Sequence, residues 1–508
     1  MTKSFNSPAL PLVTAVVIVG AGATVLGPSS LLGVSLLFAG VAFVAHRRMR
    51  PGDAMASLFF LLVLIPELAA APPVIPVGGV QIFVPHVLAI GLLPFVDWSD
   101  LRPWARRVLL GFGLLVVWMG LWGLFRGAPL NAVLQDIRGP LTFFGGVLSA
   151  MVLVSHRGVE GLLRLVPPIL GVSVLLILTQ LVTGFELLGG RVRDATVFNG
   201  VGQNARAIDA TRFIVSSEDL AVASLLVVGW WLSQPRNRRP QSQILVFVAI
   251  MGAAIVVLSL SRQLLVGLAV GTLAWVFVRG GAARMTRIFI ASVPFLVVGA
   301  LVVSLLTAVG AGIGSEGLIG RQLGGFSERV LGGLTSEGVS EDAGTAWRQR
   351  ENQFAIELIR AEPLGTGFGR PYRPEFAIEA FGDPTFFRRW VHNVYLWYGT
   401  KGGVLGLFAV GLVTVGPLFA AIRRSRRAES GRDPVAEVAV PILFAFGVMS
   451  LVDPVIINAS SGVVTAAVLV LLGLRKAPSF RDAQPVARFA LPQSTGLGSK
   501  SLTPESVA

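Results

Sequence analysis

The sequence predicts an all-α protein, a polytopic membrane helical bundle of 12–14 transmembrane helices with a long extracytoplasmic loop region containing short helices. Three observations predict it. Apolar residues make up 53% of the chain and charged residues only 14%. The mean hydropathy is +0.73. Long apolar runs recur along nearly the whole length, and a backbone in hydrocarbon must satisfy its own hydrogen bonds, which selects helices.

The apolar runs at 9–27, 31–45, 54–71, 82–96, 107–125, 139–155, 161–182, 214–233, 243–260, 264–279, 287–309, 394–421, 436–452 and 455–474 are the fourteen candidate spans. Some are shorter than the roughly 20 residues of a straight crossing, and 82–96, with Pro85 and Pro94, is the weakest. The first run, preceded by Lys3, reads as a retained helix and not a cleaved leader. The expected organisation is helices over 1–182, helices bearing a Ser-Arg motif over 183–309, a large loop over 310–393, helices over 394–476 and a disordered polar tail over 477–508.

Charge gives the orientation. The net charge is +14, yet the cations are scattered in short clusters between apolar runs, so nucleic acid is not an expected partner. Arg47-Arg48-Met49-Arg50, Arg106-Arg107, Arg157 with Arg164, Arg236 to Arg239, Arg279 with Arg284 and Arg287, and Arg423 to Arg427 fall on every second loop. Short loops rich in Arg and Lys stay cytoplasmic, so both termini are expected inside. Three connections then lie outside, at about 126–138, 183–213 and 310–393. They break the rule by carrying Arg126, Arg138, Arg191, Arg193, Arg206, Arg212, Arg321, Arg329, Arg348, Arg350, Arg360, Arg370, Arg373, Arg388 and Arg389. A long loop can cross despite its charge, and an anionic ligand on the outer face gives these arginines a purpose. Arg offers bidentate hydrogen bonds to phosphate at any pH of interest.

Within the longest loop, 310–325 is Gly-rich and reads as irregular. Residues 346–361 read as an amphipathic helix with Trp347, Phe354 and Leu358 on one stripe and Arg348, Glu351 and Asn352 mostly away from it. Thr345 is its expected N-cap, and Pro363 with Gly365 ends it. The run Pro363-Leu364-Gly365-Thr366-Gly367-Phe368-Gly369 lacks a preceding strand and a following Gly-Lys-Ser/Thr, so it reads as a turn packing the loop onto the bundle. Downstream, His392-Asn393-Val394-Tyr395-Leu396 opens the next apolar run, one of only four histidines in the chain. At Ser259-Leu260-Ser261-Arg262, two apolar runs meet at the outer rim. An arginine at a helix centre costs about 2.5–3.5 kcal/mol to insert, less at a rim, where it either snorkels or binds a ligand.

The order Ser-x-Ser-Arg, long loop, Arg348 fifteen positions before Pro363-Leu364-Gly365-x-Gly367, then His392-Asn393-x-Tyr395-Leu396 with a Gly-rich helix, resembles the O-antigen ligase and polymerase superfamily over roughly residues 200–450. The resemblance implies transfer of a glycan from a polyprenyl-diphosphate carrier to a hydroxyl acceptor, on the outer face of a bacterial plasma membrane, with no metal and no cofactor. It implies that Arg262 and Arg348 grip the diphosphate, with Arg350 able to exchange roles with Arg348, and that His392 is the catalytic or acceptor-orienting residue. The family often has an aromatic residue where this chain has Asn352. The expected partners are that lipid-linked donor, a hydroxyl-bearing glycan, lipid or cell-wall acceptor, and membrane lipids.

The chemistry agrees. Guanidinium groups neutralise a departing diphosphate, and an imidazole takes the acceptor's proton. Single displacement inverts the anomeric centre. Glu218 and Asp219 near the outer end of 214–233 could polarise an acceptor, and Arg138, Arg321, Asn393 and Tyr395 are supporting candidates. Blander readings stand beside these. His392 is equally a histidine bonded to a loop carbonyl, Arg138 a rim anchor, Arg321 and Arg370 solvated loop charges, and Trp390, Tyr395 and Trp397 belt residues. From other directions, the chain could be a transporter or flippase of an anionic glycolipid, or a protein O-oligosaccharyltransferase of the same family. Carriers place polar residues at mid-membrane, whereas these spans are nearly free of charge.

Overall fold

The structure, a computed structural model, describes residues 49–65, 74–77, 80–183, 192–197, 206–213, 215–234, 243–279, 318–326, 330, 343–372, 389–427, 433–453 and 459–475. Three expected spans, 9–27, 31–45 and 287–309, lie outside them, as do the polar tail and Arg329, Arg373 and Arg388. Every other expected span contains a helix. In chain order these are α1 (Pro51–Leu64), α2 (Val84–Leu92), α3 (Pro103–Phe125), α4 (Leu130–Arg157), α5 (Val159–Leu163), α6 (Val166–Thr183), α7 (Glu218–Leu232), α8 (Gln243–Leu258) and α9 (Arg262–Arg279). Two loop helices follow, α10 (Leu318–Phe326) and α11 (Ala343–Ala361), then α12 (Val394–Arg427), α13 (Pro434–Met449) and α14 (Ala459–Gly473). Among the described residues, α3, α4, the stretch Val159–Leu181 and α12 are long and apolar enough to cross a membrane, and six shorter apolar helices accompany them. The protein is a helical, polytopic membrane protein.

Its packing is that of a bundle in lipid. On α3, Ala105, Leu109, Phe112, Val116 and Met119 are buried while Leu110, Leu114, Val117, Leu121 and Phe125 are exposed. An exposed stripe at that helical spacing, as apolar as the buried one, faces hydrocarbon and not water. The hub is α4, which packs against α1, α2 and α14. Small residues allow that closeness. A Cβ on Gly145 would stand 2.5 Å from the Phe59 ring, and one on Gly146 would stand 3.0 Å from the Val463 Cα. α9 packs along α13, and α12 along α3 and α13.

Four features differ from expectation. The connection expected over 126–138 is shorter, because α4 already begins at Leu130, so Asp136 and Arg138 lie on a helix with Pro140 inside it. Residues 318–325, within the stretch expected to be irregular, belong to α10: Phe326 packs on the buried pair Leu260 and Val330, and this tertiary contact offsets the cost of three glycines. Two antiparallel hairpins sit in connections between helices, β1 (Val74–Val77) with β2 (Val80–Phe83), and β3 (Val192–Val197) with β4 (Arg206–Phe213). α11 starts at Ala343, so Thr345 lies inside it and not at its cap.

Polar contacts collect at two opposite ends of the bundle. At one end Asp53 meets His156 and Arg157, Ser155 donates to Asp100, Arg102 donates to the Leu474 carbonyl, Trp230 donates to Glu437, and Arg424 pairs with Asp433. At the other end lie Arg126, Asp136, Arg262, His392 and Lys401, from segments expected on the opposite face.

Candidate functional site

The site is assembled where α9, α11, α12 and α13 end. Asn393 caps α12, its Oδ1 accepting from the amides of Tyr395 (3.0 Å) and Leu396 (3.2 Å). The Tyr395 hydroxyl donates to the Gly447 carbonyl (3.0 Å), which ties α12 to α13. Both residues therefore hold the preceding His392 in place by fixing the start of its helix. The Val394 amide donates to the Ser450 carbonyl (3.0 Å), just past the end of α13.

The same turn after α13 reaches the Ser-Arg motif. Gln263 Nε2 donates to Asp453 Oδ2 (2.6 Å), and the Asp453 amide donates to the Met449 carbonyl (3.0 Å). Arg262 and His392 thus sit at the same end of the bundle, one and two positions respectively before a residue bonded to the stretch Ser450–Asp453. The motif itself is a tight reversal. Leu260 has φ of 49°, a left-handed conformation costing a non-glycine residue about 1–2 kcal/mol, and its buried side chain is held under Phe326 of α10. The reversal sets Arg262 at the first position of α9, where the helix's free amides favour an anion.

His392 has a partner that the sequence reading missed. Its Nδ1 lies 2.6 Å from Glu351 Oε2, and its backbone amide donates to the same oxygen at 3.4 Å. The Glu351 side chain is 1% exposed and the His392 ring 36%. The carboxylate was expected away from the apolar stripe of α11, yet it faces inward with Ala355, Phe354 and Leu358. The signal was present: Glu351 stands three and four positions before Phe354 and Ala355, the spacing of one helix face. Three positions earlier on α11, Arg348 is half-buried with its Nε enclosed and without a hydrogen-bond partner, whereas Arg350 is exposed.

A second cluster was also missed. Lys401 Nζ lies 3.2 Å from Asp136 Oδ2, both side chains 0% exposed, and Arg389 Nη1 lies 3.9 Å from Asp136 Oδ1. Lys401 is the one charge in the apolar run 394–421, a position that signals a paired ion. Lys401 also donates to the Arg370 carbonyl (2.6 Å), and the Gly369 amide donates to Asp136 (2.7 Å). This pair clamps the glycine-rich turn, and backbone bonds complete the clamp. α12 breaks at Gly403 (φ 57°, ψ −136°), so the Val404 amide donates to the Pro363 carbonyl (2.9 Å) instead of to Thr400. The freed Thr400 and Lys401 carbonyls accept from the amides of Thr366 (2.9 Å) and Gly367 (2.8 Å). The expected packing role of 363–369 takes this form. Trp397, expected at an interface, is fully buried and stacks between Trp390 (4.8 Å) and Phe368 (5.6 Å) beneath the turn.

The remaining candidates divide. Glu218 is buried, accepts from the Val215 amide (3.1 Å), and with Asp219 lies within electrostatic range of Asp453, on the Arg262 side of the site. Arg138 projects from the opposite face of α4 to Asp136, with its guanidinium 3.6 Å from the Phe83 ring centroid, so it belongs to the first hairpin and not to the His392 cluster. Arg321 is an exposed residue of α10, which lies against β4. Among the described residues no group of histidines and carboxylates has metal-ligand geometry.

Residues 247–411 match the family model described as O-Antigen ligase. That stretch, about a third of the chain, is similar to the O-antigen ligase and polymerase superfamily. It runs from α8 through the Ser-Arg reversal, α11, the glycine-rich turn and His392 into α12, and stops short of Asp453. No curated protein matches the chain. The family consists of ligase- and polymerase-type glycosyltransferases, which join a lipid-linked glycan donor to a glycan acceptor.

Proposed function

We propose that this protein transfers a glycan from a polyprenyl-diphosphate carrier, such as undecaprenyl diphosphate, to an acceptor hydroxyl on the outer face of a bacterial plasma membrane. The product is a surface polysaccharide. Both termini face the cytoplasm, because the end bearing Arg157 and Arg424 collects the arginine clusters of the short alternate loops. The reaction site then lies at the extracytoplasmic end. The proposal is supported by two bonds to the Ser450–Asp453 turn, from Gln263 next to Arg262 and from Val394 two residues after His392, and by the contact of His392 with Glu351 on α11, the helix that also carries Arg348.

In this reading Arg262, at a helix start, and Arg348, with its enclosed and unpartnered Nε, hold the diphosphate. Arg348 is preferred over Arg350 because Arg350 points to the exposed side of α11. His392 accepts the proton of the acceptor hydroxyl, whose oxygen attacks the anomeric carbon as the bond to the diphosphate oxygen breaks. One displacement gives inversion, with the leaving charge held by guanidinium groups that need no reorganisation. Glu218 and Asp219, on the Arg262 side, are the groups this reading assigns to polarising acceptor hydroxyls.

The test is reconstitution of the full chain with a polyprenyl-diphosphate glycan and a hydroxyl acceptor on the same face. New glycosidic product is expected from the wild type and none from His392→Ala or Arg262→Ala at equal membrane insertion. Near-normal turnover in either variant removes that residue from the site. Label crossing the vesicle with no new bond would make the protein a carrier instead.

A further inference from the structure

We infer that Glu351 is a positioning residue for His392, fixing its proton on Nδ1 and stabilising the imidazolium formed during transfer. This rests on the proposed transferase reading. An ionised carboxylate only accepts hydrogen bonds, and Glu351 Oε2 faces two groups of the same residue, the ring Nδ1 at 2.6 Å and the backbone amide at 3.4 Å. The ring nitrogen next to the carboxylate must then be the donor. That leaves Nε2 as the free base of the neutral ring, on the side of a residue still partly open to its surroundings. The backbone contact matters separately, since it locks the carboxylate to the main chain at the start of α12 and not to a mobile side chain alone.

Charged groups on the surrounding elements include Arg348, Arg350, Glu351, Glu357 and Arg360 on α11, Arg389 just upstream, Lys401 on α12, Arg262 on α9 and Asp453 after α13. Arg389 is directed to Asp136 and Gln135, and Asp453 to Gln263. The ion pair of His392 is with Glu351. The balance of the step is simple. The acceptor O–H proton passes to Nε2, the oxygen bonds to the anomeric carbon, and the old C–O electron pair leaves on the diphosphate. Glu351 remains ionised throughout and faces a ring that has become a cation. A buried carboxylate beside a forming cation stabilises it, and does so more strongly than the same pair in water.

Glu351→Gln keeps the shape and can still accept from Nδ1, but it removes the charge. With the donor pair Arg262 and Arg348 untouched, donor KM should stay near the wild-type value. Turnover should fall about tenfold or more, part of the 10²–10⁴ that a general base contributes. Glu351→Asp, which keeps the charge, should recover part of that turnover. Turnover of Glu351→Gln near the wild-type value, or a loss confined to KM, overturns the inference. Full activity of His392→Ala instead overturns the underlying reading, so the two failures are distinguishable. Should Glu351→Gln not accumulate, the wild-type chain answers directly. With four histidines, ¹⁵N-imidazole labelling resolves each ring, and His392→Asn identifies the signal. A neutral ring protonated on Nδ1 supports the inference, and one protonated on Nε2 overturns it.

Discussion

Two histidine–carboxylate pairs occupy opposite ends of this bundle, and their geometry is nearly the same. His156 Nδ1 lies 2.7 Å from Asp53 Oδ1, with the ring 28% and the acid 2% exposed. His392 Nδ1 lies 2.6 Å from Glu351 Oε2. What differs is the company. The second oxygen of Asp53 takes Arg157 Nε at 2.7 Å, so one acid closes α1 onto α4 with two cations, and the surrounding contacts at that end join helix to helix in the same way. At the other end the acid is on a loop helix with Arg348 one turn before it, the histidine precedes a span, and Arg262 lies at the same end of the bundle. The lesson is that a histidine beside a buried acid is not a signature of catalysis. What separates the two pairs is where they sit: one acid ties two spans together, the other joins a loop helix to the mouth of a span.

The sharpest way to break this comparison is to remove each histidine in turn. His392→Ala should reduce product formation by about 10²–10⁴-fold, measured in vesicles, and Arg262→Ala should do comparable damage. If either variant works normally, the two ends are equivalent clamps. The next largest effect is on stability. Lys401→Met leaves Asp136 buried without its principal cation and should cost about 3–5 kcal/mol, read as a lower Tm in detergent. Adding Asp136→Asn should recover much of that loss. Gly403→Ala should destabilise by at least about 1–3 kcal/mol from backbone strain, since its Cβ would also stand 1.7 Å from the Pro363 carbonyl. Arg348→Ala should raise the donor KM by about 10- to 100-fold, while Arg350→Ala leaves it nearly unchanged; the reverse order would reassign the donor contact. The smallest expected effect is that of His156→Ala, with turnover within about twofold of wild type.

Much of the architecture was legible in the sequence because hydrocarbon imposes a simple rule. An apolar run long enough to cross must be helical, and each expected span among the described residues holds a helix. The boundaries were less legible. Gly139-Pro140 read as a helix start, but proline is tolerated within α4, whose polar first turns carry Asp136 to Lys401. The hairpins escaped notice because a short pair of strands leaves little periodicity at the edge of apolar runs. Among the proposed site residues, Arg262 and His392 stand out from motif order, since arginine at a rim and histidine at a helix mouth are conspicuous. Glu351 and Lys401 were not, although each is a charge on an apolar background. Their meaning depends on a partner 41 or 265 positions away, a distance across which no local spacing rule operates.

The exchange of backbone bonds at Gly403 has a mechanical consequence. A covering segment resting on side chains alone can lift like a flap. Here the Thr366 and Gly367 amides complete the α12 hydrogen-bond ladder, and α12 in turn completes the loop's. Peeling the segment away would strand several main-chain groups in an apolar setting, at several kcal/mol in hydrocarbon for each. The cover and the first turns of α12 therefore move as one rigid body, and any breathing of this end of the bundle must hinge elsewhere.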